Sequence, residues 1–423
     1  MLKVRKRMSV LFIVITFLVT GNTYGQVKGL DLLGDSKSLT IPFTLEQGFM
    51  VVKIRLQKTF PMRFIFDTGA EHTIIFNKMY SDMLKLPYDR KIPILGADLS
   101  QEMYANIIRN IYMDLKGASS VRRDILVLEK NYLRLFETAG IYVDGIIGGE
   151  FFRGLVIEID YKKKEIILHH PNYWDESNYK NYESFDIDVV NYKPYLKART
   201  IQDGDTTQLS LLVDTGASLT FLLHANSDST LTLPDYVIPG SLGSGLGGEV
   251  MGFMGLMDEI KIGKFEFENV FTSFQDIDPA IIRANEYFRN GLIGNVLLSR
   301  FKVVINYTDN KMYLKASRKY NKKFEYDKSG ITLYAFGPHL NNFYVKSVIV
   351  ESPAYEAGIR PGDQIISICK KLHKKWSLEQ ISALLKKKDG LEIMMIVQRE
   401  GLFIPIEFKL RDLLKEKKKA NTL

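Results

Sequence analysis

The chain repeats itself. Ile65-Phe66-Asp67-Thr68-Gly69-Ala70-Glu71-His72-Thr73-Ile74-Ile75 returns 147 residues later as Leu212-Val213-Asp214-Thr215-Gly216-Ala217-Ser218-Leu219-Thr220-Phe221-Leu222. The same spacing aligns Leu95-Gly96, Leu99 and Glu102 with Leu242-Gly243, Leu246 and Glu249. At a spacing of 146, Gly145-Ile146-Ile147-Gly148 aligns with Gly291-Leu292-Ile293-Gly294, and Asp160-Tyr161 with Asn306-Tyr307. One deletion accounts for the change, and a register held over four landmarks marks a duplicated unit. Two copies are too few for a solenoid. They predict two similar lobes, face to face across a pseudo-twofold axis.

Each copy is rich in short apolar runs separated by turn residues: Met50–Leu56, Ile157–Ile159, Ile166–Leu168 and Val303–Ile305. These read as β-strands, while helical periodicity is sparse. The expected fold class is mainly β, a pseudo-twofold bilobal body followed by a small α+β domain. The expected segments are a leader over 1–25, lobes over 26–168 and 169–316, and the small domain over 328–412. The polar, aromatic stretch 169–183 reads as the connector between lobes, and the charged stretch 317–327 as a linker.

Composition narrows the function classes. Of 423 residues, 46% are hydrophobic and 25% charged, which excludes a disordered or collagen-like chain. The lone cysteine, Cys369, excludes an internal disulfide framework and a multi-cysteine metal site. The formal charge is +8, but it is uneven: residues 1–25 carry four basic groups and no acid, and 317–423 carry 21 Lys/Arg against 12 Asp/Glu. The two lobes are therefore net acidic, which argues against nucleic acid as a partner.

Lys3, Arg5, Lys6 and Arg7 precede an apolar run from Met8 to Val19, then a small polar stretch ending at Gly25. This is a secretory signal pattern; the run is too short for a spanning helix, which needs about 20 residues. The expectation is an exported protein, periplasmic or secreted, with no stable membrane span once the signal is removed.

Each Asp-Thr-Gly follows an apolar strand that delivers the Asp to the tip of a tight turn. A pseudo-twofold axis brings Asp67 and Asp214 together. Carboxylates that close share a proton. One, ionised, takes a proton from water, and the other, protonated, donates to a carbonyl oxygen. Thr68 and Thr215 are expected to hydrogen-bond across the axis, with Gly69 and Gly216 completing the loops. No cofactor and no metal are called for. His169-His170 points its two rings to opposite faces of a strand, a poor chelate.

With both Asp-Thr-Gly-Ala loops and both apolar-Gly signatures (Asp144 to Gly148, Gly291 to Leu298), residues 38–315 resemble a retropepsin-like aspartic protease, here with both halves in one chain. The resemblance implies an aspartic-type endopeptidase acting on polypeptides, with Asp67 and Asp214 as its dyad. It also implies an apolar pair and a Gly packed beneath each catalytic loop. One departure stands out. The family commonly has an Arg after the second-signature Gly, paired with an Asp after the Ala. Here those places hold Gly149 and Asn295, and Glu71 and Ser218, so inter-lobe bracing and the nearby subsites must differ.

Gly243-Ser244-Gly245-Leu246-Gly247-Gly248 fits a dinucleotide fingerprint, but the next residues, Val250 to Gly255, are too glycine-rich to open a helix. By position, Gly243, Gly245, Gly247 and Gly248 belong instead to a flap over the cleft, where glycines allow opening and close approach to a peptide. An ordinary surface loop is the alternative.

Ser352-Pro353 through Arg360-Pro361-Gly362-Asp363, with the strand pattern before it and the helix pattern from Trp376 to Leu385, resembles a PDZ domain. Gly330-Ile331-Thr332-Leu333 sits at the place of the carboxylate-binding loop, and Leu378 at the start of the groove helix. The resemblance implies capture of protein C-termini at a sheet edge. Docking of this groove on the protease itself is the alternative for the module, and a non-catalytic peptide-binding protein is the alternative for the whole chain.

Overall fold

The protein is described here from a computed structural model, which covers residues 29–96, 102–131, 133–284 and 288–415. The leader expected over 1–25 lies outside the described residues. The protein is mainly β. Each lobe contains an eight-stranded sheet, and the two sheets have the same strand order. In the first, the strand Phe60–Phe66 pairs in parallel with Gly145–Ile147, and in the second Asp205–Val213 pairs in parallel with Gly291–Ile293. Over the paired residues these strands are apolar and buried, because protein covers both their faces there.

A third sheet joins the lobes. Its six strands run Ser38–Pro42, Glu165–His169, Val156–Asp160, Phe301–Asn306, Lys311–Ala316 and Glu183–Asp186, three from each side. The junction pairs Val156–Asp160 antiparallel with Phe301–Asn306, and Glu158 faces Val304 at its centre. Those two residues are also equivalent under the 146-residue repeat, so the pseudo-twofold axis passes through this pair. The turns after these strands repeat the symmetry. The Asp160 carboxylate accepts from the N–H groups of Lys162 and Lys163, and the Asn306 side chain accepts from Thr308 and Asp309, all at 3.0 or 3.1 Å.

All five residues of Val156–Asp160 are buried. One reason is the connector. Its Trp174 and Tyr179 rings stack at 4.1 Å between centroids and pack with Tyr182 over Val156, Val304 and Tyr313. The polar, aromatic segment read as the connector also covers the inter-lobe sheet.

The C-terminal domain has its own core, including Phe343, Ile365, Ile381, Ile393 and Val397. Its edge strand Ile331–Phe336 lies beside the helix Leu378–Leu385, which Ser377 and Gln380 start with a reciprocal capping box. The linker read over 317–327 is not free. Arg300 lies over the Phe324 ring at 3.8 Å, Tyr326 stacks on Phe271 at 4.8 Å, and the Tyr326 hydroxyl donates to Asp412. Among the described residues, no helix is long and apolar enough to cross a membrane.

Candidate active site

The two Asp-Thr-Gly loops meet at the axis. The Thr68 N–H donates to the Thr215 hydroxyl at 3.0 Å, and the Thr215 N–H to the Thr68 hydroxyl at 3.1 Å. Each hydroxyl then donates onward into the other lobe, Thr68 to the Val213 carbonyl (2.6 Å) and Thr215 to the Phe66 carbonyl (2.9 Å). Beneath them, the N–H groups of Asp67 and Asp214 are held by the carbonyls of Ile147 and Ile293. Gly148 and Gly294 must be glycines, since a Cβ on either would collide with backbone carbonyls just after the Asp-Thr-Gly turn.

This lattice brings the carboxylates together. A Cβ on Gly69 would lie 2.5 Å from Asp214 Cγ, and one on Gly216 would likewise strike the Asp67 carboxylate. Each carboxylate therefore rests on the opposite loop's glycine. Asp67 also accepts N–H bonds from Gly69 (2.7 Å) and Ala70 (3.0 Å), and Asp214 from Gly216 (2.8 Å). Both carboxyls stay partly open to solvent but are ringed by protein. Burial, and then the charge of Asp214, hold the Asp67 carboxyl well above the ordinary carboxylate range. Burial also raises Asp214, but the Arg289 guanidinium opposes that rise. The two carboxyls titrate as one pair that shares a proton, and the Arg289 cation favours the ionised form of Asp214. Such a pair can activate a water and protonate a carbonyl together.

The bracing that replaces the missing ion pair is polar and one-sided. Asn295, buried, donates to the Thr215 carbonyl and accepts from the Tyr161 hydroxyl of the other lobe at 2.6 Å. The symmetry mate of Tyr161 is Tyr307, and that of Asn295 is Gly149. No side chain at 149 can answer Tyr307, whose buried hydroxyl has no hydrogen-bond partner among the described residues. Gly149 itself is pressed against the Tyr192 carbonyl, which leaves no room for a Cβ.

Residues 237–262 form a hairpin at the place expected for a flap. The strands Val237–Gly245 and Gly248–Ile262 pair up to Gly245 opposite Gly248, and Gly247 and Gly248 take the positive φ that the tip requires (109° and 118°). Gly243 also has positive φ, at 130°, beside a bulge. Leu246 at the tip packs on the first lobe's apolar cluster, which includes Ala70, so this hairpin reaches across to the opposite lobe. The corresponding hairpin of the first lobe pairs Arg90–Leu95 with Glu102–Leu115, and its tip lies outside the described residues.

Residues 200–297 match the family model described as aspartyl protease, and residues 344–399 match the one described as PDZ domain. The chain carries an aspartyl protease domain and a PDZ domain. No curated protein matches this chain.

The PDZ groove is occupied. The helix Leu135–Thr138 of the first protease lobe packs against the edge strand Ile331–Phe336, and Phe136 packs on the PDZ core. Gly140 lies against Leu378, where a Cβ would come within 3.2 Å of the leucine's own Cβ. The Tyr142 hydroxyl donates to the Pro338 carbonyl at 2.6 Å. On the flap, Glu249 pairs with Lys346 of the PDZ domain at 2.5 Å. The loop at 330–333 also differs from the expectation of a free carboxylate cradle. The Gly330 N–H bonds the chain's own Asp327 carboxylate at 2.6 Å, and the Ile331 N–H bonds the Ser329 hydroxyl at 3.1 Å. Thr332 and Leu333 continue into the strand across a bulge.

Sequence reasoning passed over Arg289, Lys193 and Phe136. The repeat itself held a signal for the first. Arg289 aligns with Val143 at the 146-residue spacing, so a cation stands where the other lobe has an apolar residue.

Proposed function

We propose that the chain is an exported aspartic endopeptidase that hydrolyses polypeptides through a water activated by Asp67 and Asp214. The observation that carries this reading is the mutual approach of the two carboxylates, each resting on the other loop's glycine. Asp214, favoured as the anion by Arg289, takes a proton from the water. Asp67, favoured as the acid, donates to the scissile carbonyl oxygen. Water attacks directly and no acyl-enzyme forms. Thr68 and Thr215 keep the loops in register, and the flap with Leu246 at its tip covers the bound peptide. Export rests on the leader pattern of residues 1–25.

The PDZ domain is the recognition module of this enzyme. A protein C-terminus enters its groove by displacing the helix Leu135–Thr138. The test is hydrolysis of casein, with and without pepstatin, by the wild type and by the Asp67→Asn and Asp214→Asn variants. Pepstatin-sensitive cleavage lost in both variants supports the reading. A few per cent or more of wild-type turnover in either variant overturns it, because neither lobe can supply both carboxyls.

A further inference from the structure

The pseudo-twofold relation makes the two walls beside the dyad comparable position by position. Val51 pairs with Ile65, two residues before Asp67, and Tyr195 pairs with Leu212, two residues before Asp214. Val51 and Tyr195 are therefore equivalent, and so are Phe49 and Lys193, two residues earlier on the same face of each strand. Val143 and Arg289 are equivalent too. Each directly precedes a residue, Asp144 or Asn290, whose N–H bonds the carbonyl of Arg63 or Ser210 (2.8 and 2.9 Å).

In the first lobe, Phe49, Val51 and Val143 belong to one apolar cluster with Ile65 and Ala70. In the second, the same three positions hold Lys193, Tyr195 and Arg289. The Arg289 guanidinium acts electrostatically on Tyr195, Asp214 and Asp67, and it also reaches Lys193. Two cations in one partly buried wall repel each other, and each is weakened by desolvation. Glu71 from the opposite lobe faces Lys193 and Tyr195, but its carboxylate also pairs with His72 at 3.4 Å. Among the described residues, the Arg289 guanidinium has no hydrogen bond and no ion pair. Its planar donor fork matches a carboxylate.

We propose that Lys193 and Arg289, flanking Tyr195, form a subsite for an acidic side chain, so that cleavage occurs between an apolar residue and an Asp or Glu. This rests on the endopeptidase reading and adds its substrate class. The apolar residue meets the first-lobe wall where Ala70 and Val143 are partly exposed over buried Phe49 and Val51, and the acidic one meets the basic wall.

The test uses full-length protein and two matched peptide libraries that differ only in a fixed Glu or Gln, with cleavage sites read by mass spectrometry. The expected result is cleavage next to Glu, with kcat/KM roughly ten- to hundredfold above the Gln library, the worth of a charge-assisted hydrogen bond. Arg289→Met should bring the ratio to about one, and Arg289→Lys should restore part of it. If Arg289→Met does not fold, Lys193→Met and Arg289→Lys read the same ratio. Binding of the same peptides to Asp67→Asn, followed by fluorescence anisotropy, gives a readout free of turnover. Tighter Glu binding there without wild-type hydrolysis supports the subsite and overturns the endopeptidase reading. Hydrolysis with no Glu preference overturns the subsite alone. A preference that survives in Arg289→Met and Lys193→Met overturns the assignment to these residues.

Discussion

Thr68 and Thr215 exchange hydrogen bonds across the lobes, each hydroxyl accepting the other's N–H and donating to a carbonyl on the far side. Both residues are almost wholly buried, at 2% and 0% exposure. Replacing either by Val keeps the shape but leaves an N–H and a carbonyl unpaired in a dry place. Thr68→Val and Thr215→Val should each lower stability by about 2–6 kcal/mol, at ~1–3 kcal/mol for each of the two orphaned groups. Thr→Ser at the same positions should cost much less. Urea unfolding of the four variants checks this, and equal losses for Val and Ser would show that the hydroxyls are not what joins the loops.

The tyrosine pair offers an internal control. Tyr161 donates to Asn295, whereas its symmetry mate Tyr307 has a buried hydroxyl with no acceptor among the described residues. Tyr161→Phe should destabilise by about 1–3 kcal/mol, because Asn295 loses a donor it cannot replace. Tyr307→Phe should be neutral or stabilising, since it removes an unsatisfied polar atom. Thermal melts of both decide the matter. The same cost in both variants would mean that Tyr307 is satisfied in solution.

The dyad sets a pH dependence whose sign is fixed by Asp67. Its folded pKa lies above the ordinary value of 3.8, so the folded chain keeps a proton that the unfolded chain loses. Its contribution to stability is therefore full below the unfolded pKa and is lost as pH rises through the folded value. Asp67→Asn removes that loss. The variant should be more stable than the wild type at neutral pH, with the difference vanishing in acid, as read from urea midpoints across the range. In the rate profile, Ala70 and Ala217 offer no hydroxyl to lower the dyad, so activity should run from mildly acidic towards neutral pH. An optimum at about pH 2 would contradict this. Arg289→Met removes the cation that opposes the rise in Asp214, so the acid limb should move to higher pH.

The filled groove alters the expected role of the PDZ domain. In the folded chain, the domain covers Phe136 and holds flap residue Glu249 through Lys346. Phe136→Asp should free the groove and strengthen binding of an apolar C-terminal peptide, measured by fluorescence anisotropy, by roughly tenfold, the scale of one large apolar contact. Leu378 in place of a polar groove residue should favour an apolar residue two places before the ligand's C-terminus. Unchanged affinity in Phe136→Asp would show that the helix Leu135–Thr138 does not compete for the groove.

Several levels of this protein were legible in the chain alone. The duplication predicted paired lobes because two copies of one strand pattern have the same way to bury their apolar faces. The spacing from each Asp-Thr-Gly to its apolar-Gly signature carried over directly, since Asp67 and Asp214 bond the carbonyls of Ile147 and Ile293. In the stretch that resembles a PDZ domain, Pro353 opens the short helix Pro353–Glu356, which the Ser352 hydroxyl caps. These features are local or repeat-encoded, so residue type and spacing suffice to read them.

What the sequence by itself determined is thus the duplicated β architecture and the pair of loops that carry the carboxyls. Tertiary structure alone decided which groups surround them. Arg289 is a basic residue in an unremarked loop until the strand Gly291–Ile293 carries it beside Asp214. Asn295 and Tyr161 are 134 residues apart and meet only because the six-stranded sheet joins the lobes. Phe136 belongs to the first lobe, yet it packs on the PDZ domain. Such contacts depend on how separately folded surfaces fit together, and neither periodicity nor a local motif encodes that fit.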